Sequence, residues 1–332
     1  MSPLIRWVGA AALTLASVAL SSLSAADPPE DVVKLITQLK DPNEIVRLKA
    51  AKELGKLKER AEPALEALAK VAERAPDEDV RAVAKRSLLA IKEAVAEADK
   101  DKDKEAVEPF LKKLKSKKAA DRQSALEELA KLGERARPAT AAIAHAMMDA
   151  SPPVREAAAG CMEKVDPKIH PYVVSMLYDE SDSQKSASAL QLGKMGARAK
   201  GAVPVLKYHY SSYAAKFKRS DTTTLGALVA IIPDDPQIVS EVLLLVSSPN
   251  VRYGRLEGLR LLDLVEATNK KKVEALMGTL SDTSYRVQVI EKLAKFGMDA
   301  KPALPALMKL KLDSSPSVRD AATKAIETIT AE

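Results

Sequence analysis

The 332-residue sequence predicts an all-α protein built from stacked helical hairpins. Ala, Leu, Lys and Glu are abundant and there are only 12 glycines, a composition that favours helix over strand. A helix–turn–helix unit also recurs along the chain. One such hairpin cannot bury its own apolar stripe, so successive copies must stack against each other.

The repeat is visible as direct self-similarity. Residues 125–143 align without a gap to residues 289–307, and residues 149–165 align to residues 313–329. Arginines mark successive copies, usually 30 to 41 residues apart: Arg47, Arg81, Arg122, Arg155, Arg286 and Arg319. Lys185 and Arg255 take this landmark place in two weaker copies.

The spacing after each landmark has a physical reason. Three residues on comes a small side chain: Ala50, Ala84, Ala125, Ala158 and Ala322, with Ser188 and Gly258 in the weaker copies. Seven residues on comes a large apolar one: Leu54, Leu88, Leu129, Met162, Leu192, Leu262, Leu293 and Ile326. We expect the small residue to let two helices approach closely while the large one fills the groove beside it.

Proline indicates the start of each repeat's first helix. Pro63, Pro138 and Pro302 stand where that helix is expected to begin, because a missing N–H costs nothing there. AKPALPAL (300–307) and SPSVRDAA (315–322), the second preceded by Asp313, carry a pattern that resembles the HEAT repeat family, including its bacterial form. The resemblance covers nearly the whole mature chain. It implies a curved α-solenoid of about nine hairpins, with the second helices on the concave face, and little about activity, since most such proteins are scaffolds.

The N-terminus predicts export. Arg6 is the only charged residue among the first 26 and precedes an apolar run, followed by small residues up to Ala26. This order is typical of a secretory signal peptide at 1–26, cleaved near Ala26, although an uncleaved membrane anchor is the alternative. No other segment is long and apolar enough to span a membrane. The lone Cys161 has no intramolecular partner, so the exported product must be stable without disulfides.

The predicted repeats are interrupted twice. Repeats one and two occupy residues 27–96, and the charged stretch 97–106 is interpreted as a linker or a helix extension. Repeats three to nine follow at 107–332. Among them the sixth, at about 201–235, loses its Val-Arg landmark and carries TTTLGALVAIIPDDP instead.

The sixth repeat also contains the densest cluster of aromatic and basic side chains. Leu206, Tyr210, Tyr213 and Phe217 follow helical spacing, so these rings are expected to fill a core, with Tyr210 and Phe217 mostly buried. The alternative is a binding patch, because Tyr beside Lys and Arg is favoured at interfaces. That patch consists of Lys207, Tyr208, His209, Lys216, Lys218 and Arg219.

The landmark arginines and the concave face are two further candidate sites. In the resembled family such arginines pair with Asp of the same or the neighbouring repeat, which predicts a structural ladder of Asp41, Arg47, Asp77, Arg81, Asp149, Arg155, Asp313 and Arg319. An anion-binding ladder is the alternative. The concave face is predicted at the position five after each landmark: Lys52, Arg86, Glu127, Arg260, Glu291 and Lys324, with Gly160 and Leu190 between them. Both charge signs occur there, which argues against nucleic-acid binding.

Catalytic and metal-binding patterns are absent from the sequence. His145, His170 and His209 are scattered, and none has a metal-ligand partner at short helical spacing, so we expect no metal or cofactor. Cys161 is interpreted as a core residue rather than a nucleophile. The lysine run 111–118 is interpreted as a solvated helix face, with an acidic partner or a membrane surface as the alternative contact.

Together these observations predict an exported, non-enzymatic scaffold that binds another protein through its curved surface. Two alternatives stay open: a HEAT-like accessory subunit of a lyase-type enzyme, and a binder of anionic envelope polymers.

Overall fold

The computed structural model describes residues 28–217, 219–248 and 254–331, and every regular element in these ranges is helical. The predicted signal peptide and Lys218 lie outside the described residues. Across the described ranges, no helix has the length and apolarity needed to cross a membrane.

The helices form nine consecutive pairs within these ranges, the number that the repeat predicts. The first helices are α1 (Glu30–Gln38), α3 (Leu65–Arg74), the C-terminal part of α4 (Glu78–Lys113), α6 (Thr140–Ala146), α8 (His170–Tyr178), α10 (Val203–Phe217), α12 (Pro236–Ser247), α14 (Asn269–Thr279) and α16 (Leu304–Leu310). The second helices are α2 (Glu44–Lys56), the N-terminal part of α4, α5 (Ala119–Leu132), α7 (Pro152–Val165), α9 (Asp182–Lys194), α11 (Thr222–Ile231), α13 (Arg255–Leu261), α15 (Arg286–Lys295) and α17 (Pro316–Thr330). The charged stretch 97–106 is helical and lies inside α4.

The chain divides into two compact units, one up to Asp101 and one from Lys102 onward. Each has its own apolar core. In the first unit, Leu54, Leu68 and Ile91 are fully buried among the first two repeats. In the second unit one continuous core extends from Val107 to Ile329.

Repeat packing follows the landmark spacing. Within the second unit, several adjacent second helices pack directly on each other: α5 on α7, α9 on α11 and α15 on α17. Every small residue three after a landmark is buried, as are most of the large ones at seven, while Leu88 and Ile326 are partly buried. The all-α solenoid is therefore confirmed at the level of helix pairing.

Four seven-residue 3₁₀ turns lead into first helices: η1 (Lys58–Ala64), η2 (Gly133–Ala139), η3 (Gly196–Ala202) and η4 (Gly297–Ala303). Pro63, Pro138 and Pro302 lie inside these turns, two residues before the α-helix, rather than at its first residue. The predicted helix starts were wrong by this margin, because the chain first winds through a 3₁₀ segment. Each turn begins with a positive φ, which suits the glycines that open η2 to η4.

The landmark arginines connect neighbouring repeats. Arg122 donates to the carbonyl oxygens of Ser116 and Lys117 in its own loop, and its Nε and Nη2 donate to the Asp149 carboxylate of the next repeat, both at 2.7 Å. Asp149 also accepts a bond from the backbone N–H of Ser151. Equivalent pairs join adjacent loops elsewhere: Arg47 with Asp77, Arg255 with Asp282, and Arg286 with Asp313.

Within a single repeat the contact is with backbone rather than with a carboxylate. Arg155 and Arg319 each donate to two carbonyl oxygens of their own loop, including those of Asp149 and Asp313. Arg81 does the same with Ala75 and Pro76, and Arg47 with Asp41 and Pro42. The arginines therefore fix loop conformation and inter-repeat register together.

Candidate protein-interaction site

Helix α11 gives the sixth repeat an unusual surface. Among the second helices of the described chain, it alone carries no Asp, Glu, Lys or Arg, in a sequence that is 30% charged. Asp221 caps its N-terminus, and the Asp221 carboxylate accepts bonds from the backbone N–H groups of Thr223 and Thr224. The accessible surface of α11 is therefore formed by small uncharged residues, whereas the other second helices carry charged side chains.

Thr224 occupies the place of the missing landmark, since Ala227 follows three residues later and Ile231 seven residues later. Its hydroxyl donates to Asp221 Oδ2 at 2.5 Å, and His209 Nδ1 lies 3.3 Å from both groups. Burial of Asp221 opposes its ionisation, but the hydrogen bonds from His209 and Thr224 prevail and lower the pKa of this carboxyl group. In this repeat the loop before α11 is held by the buried contacts of Asp221 with Thr224 and His209, rather than by a landmark arginine.

A trough of about 470 Å³ opens over α9, α11 and α13. Its floor is formed by glycines and alanines, whose small size leaves the depression open: Gly193, Gly226, Ala227 and Ala230. Two leucines flank it, Leu190 on α9 and Leu264 just beyond α13, and each is about half exposed. Apolar side chains of that size, exposed around a concavity, are a feature of binding surfaces.

Three charged residues surround the trough. Arg260 and Glu257 form a two-bond ion pair with distances of 2.6 and 2.9 Å, and Glu257 raises the pKa of Arg260. Lys194 is exposed and has no charged partner among the described residues. Because the pair neutralises itself, the uncompensated charge at the rim is positive.

The other residues of the predicted concave face are also exposed: Lys52, Arg86, Glu127, Glu291 and Lys324. Of the charged set, only Arg260 borders the trough, so the predicted positions did not locate this feature. The signal that could have found it was the uncharged run 222–233, read together with Leu190 at the position five after a landmark.

Two family models match the chain and agree with the repeat architecture. A family model described as HEAT repeats matches residues 4–89, and one described as HEAT repeat matches residues 303–331. The chain therefore contains HEAT repeats. The first match begins inside the segment predicted to be a leader. A solved structure of an engineered protein from a structural genomics consortium is 18% identical over 91% of this chain and 89% of that one, with a TM-score of 0.32. No match was found among the curated proteins.

The aromatic and basic residues of this HEAT-repeat protein do not form one patch. Tyr210 is 6% exposed, as expected, and its hydroxyl donates to Glu241 at 3.0 Å, while burial raises its pKa to about 12. Phe217 is 37% exposed, so the expectation of burial was wrong for this ring. As the last residue of α10, it packs on Tyr213, with ring centroids 4.5 Å apart, instead of on the core.

The remaining patch residues separate into structural and exposed groups. His209 is 8% exposed and held by Asp221, so its predicted place in a binding patch was wrong. Lys207 pairs with Asp235 at 2.8 Å; burial opposes ionisation of Asp235, but this bond lowers its pKa. Lys216 and Arg219 lie over the exposed ring of Phe217, 4.6 Å and 5.9 Å from its centroid. Tyr208 is exposed on another side of α10.

The other residues considered for chemistry lie in ordinary surroundings. Cys161 is buried in α7, and desolvation raises the pKa of its thiol to about 12, as for a core residue. His145 is exposed and His170 half-buried, and within the described ranges no three His, Cys, Asp or Glu residues converge to hold a metal ion. The five lysines of residues 111–118 are all exposed.

Proposed function

We propose that this HEAT-repeat protein is an exported, non-enzymatic scaffold that binds another protein through the trough over α9, α11 and α13. The observation that supports the proposal is the joint occurrence of an uncharged second helix and two exposed leucines beside a glycine-floored depression. Export rests on the leader-like N-terminal sequence.

The chemistry of the trough defines the partner. Its length crosses three helices, and its volume is suited to one inserted segment rather than to a broad flat surface. Apolar contacts with Leu190 and Leu264 require bulky apolar side chains, and the positive rim at Lys194 requires an acidic neighbour. We therefore expect the partner to present an amphipathic helix with Leu, Met or Phe on one face and Asp or Glu beside it.

A variant that fills the trough tests the proposal. A Cβ atom at Gly226 would have its nearest neighbours at 3.7 Å (Glu257 Oε1) and 3.8 Å (Leu261 Cδ2), so it would make only ordinary van der Waals contacts there. Gly226→Leu should fold normally and fill the floor. The matched control is Leu244→Lys, which changes an equally exposed leucine on the first-helix side of the same unit.

The experiment is crosslinking followed by pull-down of the mature chain from the cell envelope. Wild type and Leu244→Lys should enrich the same defined protein, and Gly226→Leu should lose at least nine-tenths of it. Equal recovery by Gly226→Leu would show that the trough is not the binding surface, and failure to enrich any protein under several conditions would overturn the scaffold function itself.

A second candidate function has support from the exposed lysines of residues 111–118. Five cations within eight positions suit a polyanion of the envelope. Salt-sensitive retention on an anionic polymer, lost when these lysines are changed to Gln and kept in Gly226→Leu, would favour this function over protein binding.

A further inference from the structure

A cleft of about 410 Å³ opens in the second unit where the link between two repeats is short. Residues 166–169 join α7 to α8, whereas η2 and η3 on either side are seven residues long. The short link leaves a gap, and the two flanking turns line it. Arg137 belongs to η2, Arg198 and Lys200 belong to η3, and Asp166 lies in the link.

Gly201 shows that the cleft is built into the fold. The other turns carry proline at this place, whereas η3 carries glycine. A Cβ atom here would lie 2.8 Å from Thr140 Cβ and 3.2 Å from Ile169 Cδ1, closer than side chains tolerate. Turn η3 therefore packs across the short link against α6, and only glycine allows that approach.

Arg198 lacks the partner that its equivalents have. In the other turns the third residue bonds to a side chain about one repeat earlier: Arg60 to Asp31 at 3.0 Å, Arg135 to Asp103 at 3.1 Å, and Asp299 to Asn269 at 2.7 Å. The sequence separations in these three pairs are 29, 32 and 30 residues, which place the corresponding partner of Arg198 in the link 166–169. Asp166 is the acidic residue of that link. Within the described residues, no ion pair joins these two side chains.

Asp166 is consequently left unsatisfied. It is 6% exposed, and its Oδ1 atom has no hydrogen-bond partner. A buried acceptor without a donor costs free energy, so a native structure usually supplies one. Three cations and one carboxylate line the cleft, and Arg137 is also paired with the exposed Glu134 at 3.1 Å, so the net charge of the group is about +1.

We propose that this cleft binds a small phosphomonoester that carries hydroxyl groups, such as a sugar phosphate. The phosphate group is attracted by the excess positive charge and accepts bonds from Arg198 and Lys200, with Arg137 at the edge. A hydroxyl of the same ligand donates to the Asp166 carboxylate. The ligand thereby bridges the two groups that pair directly in the other turns. The site is independent of the trough, because it lies at the turns and uses none of the trough residues.

Calorimetric titration of the full chain tests the proposal with three probes: glucose 6-phosphate, inorganic phosphate and glucose. We expect glucose 6-phosphate to bind at least tenfold more tightly than phosphate, and glucose not to bind. Arg198→Gln and Lys200→Gln should each weaken glucose 6-phosphate binding at least tenfold. Asp166→Asn should bring its affinity down to that of inorganic phosphate. Lys301→Gln changes the equivalent of Lys200 in η4 and should have no effect.

Several results would overturn the proposal. If neither phosphate compound binds and Arg198→Gln lowers the thermal midpoint, the cleft closes through an internal Arg198–Asp166 ion pair. If Lys301→Gln weakens binding as much as Lys200→Gln, the interaction is general attraction to surface cations. Equal affinities for phosphate and glucose 6-phosphate would refute the role given to Asp166. Lys200 is exposed, so its variant should fold even if Asp166→Asn does not.

Discussion

Substitution of Gly201 tests the packing of η3 against α6. In Gly201→Ala the new Cβ would collide with the Thr140 methyl carbon Cγ2 and lie 2.8 Å from Thr140 Cβ, whereas carbon atoms in ordinary contact are about 3.5–4.0 Å apart. The turn and the helix must therefore separate by roughly 1 Å, and such overpacking typically costs about 1–3 kcal/mol. Alanine also lowers the conformational entropy of the unfolded chain, which offsets about 0.4–1 kcal/mol of this destabilisation. We expect the free energy of unfolding to fall by about 1–2 kcal/mol.

Urea denaturation followed by circular dichroism measures this change, and a second substitution tests its cause. Thr140→Ser removes the methyl group that meets the new Cβ but keeps the hydroxyl that donates to the Arg137 carbonyl oxygen at 2.6 Å. The double variant should be about 1 kcal/mol more stable than the sum of the single effects predicts. Gly278→Ala is the control, because its nearest neighbour would be 3.6 Å away, and it should not destabilise the protein. Full stability of Gly201→Ala, or strict additivity with Thr140→Ser, would refute this account of the packing.

Three further predictions concern strain, titration and reactivity. Lys58 has a φ of 52° at the position where the other three turns have glycine. Lys58→Gly should therefore relieve backbone strain and raise the free energy of unfolding by about 0.5–1 kcal/mol in urea titration. An unchanged midpoint would show that Lys58 is not strained. Hydrogen bonds from Arg122 lower the pKa of Asp149 in the folded protein. The stability that Asp149 provides is therefore present above its unfolded-state pKa of about 4 and is lost as the pH falls through the lower folded-state pKa. Asp149→Asn should therefore be less stable than wild type at pH 7 and lose less stability between pH 4 and pH 2; parallel pH profiles would contradict the assignment. Cys161, with a thiol pKa near 12, should resist iodoacetamide at pH 8 in the native protein and react after unfolding, and rapid native labelling would show that the thiol is accessible.

The sequence predicts helix pairing well because one spacing rule applies to every copy. Small residues such as Ala158 must be buried for adjacent second helices to approach, and large ones such as Met162 must fill the adjoining groove. The same rule was less informative where one repeat departs from it. Thr224 carries no cation to identify it as a landmark, so the burial of His209 beside it could not be anticipated from helical spacing alone.

The candidate surfaces were harder to predict because they arise where one repeat has smaller side chains or a shorter link than the others. The trough exists in part because Gly226 stands where the other second helices carry a side chain, and the cleft exists because the link between α7 and α8 is short. Phe217 follows the same stripe as Tyr210, yet it lies at the end of α10, and periodicity does not report where a helix ends relative to its neighbours. Sequence spacing defines faces; exposure on a face depends on the packing around it.

The most direct test of the trough as a binding surface is selection of peptides from a random displayed library on the full chain. Enriched peptides should carry bulky apolar residues three or four positions apart with an adjacent Asp or Glu. They should bind wild type and Leu244→Lys equally, and Gly226→Leu at least tenfold more weakly. Enrichment of peptides that bind Gly226→Leu as well as wild type, or no enrichment at all, would contradict the assignment of this face as the interaction site.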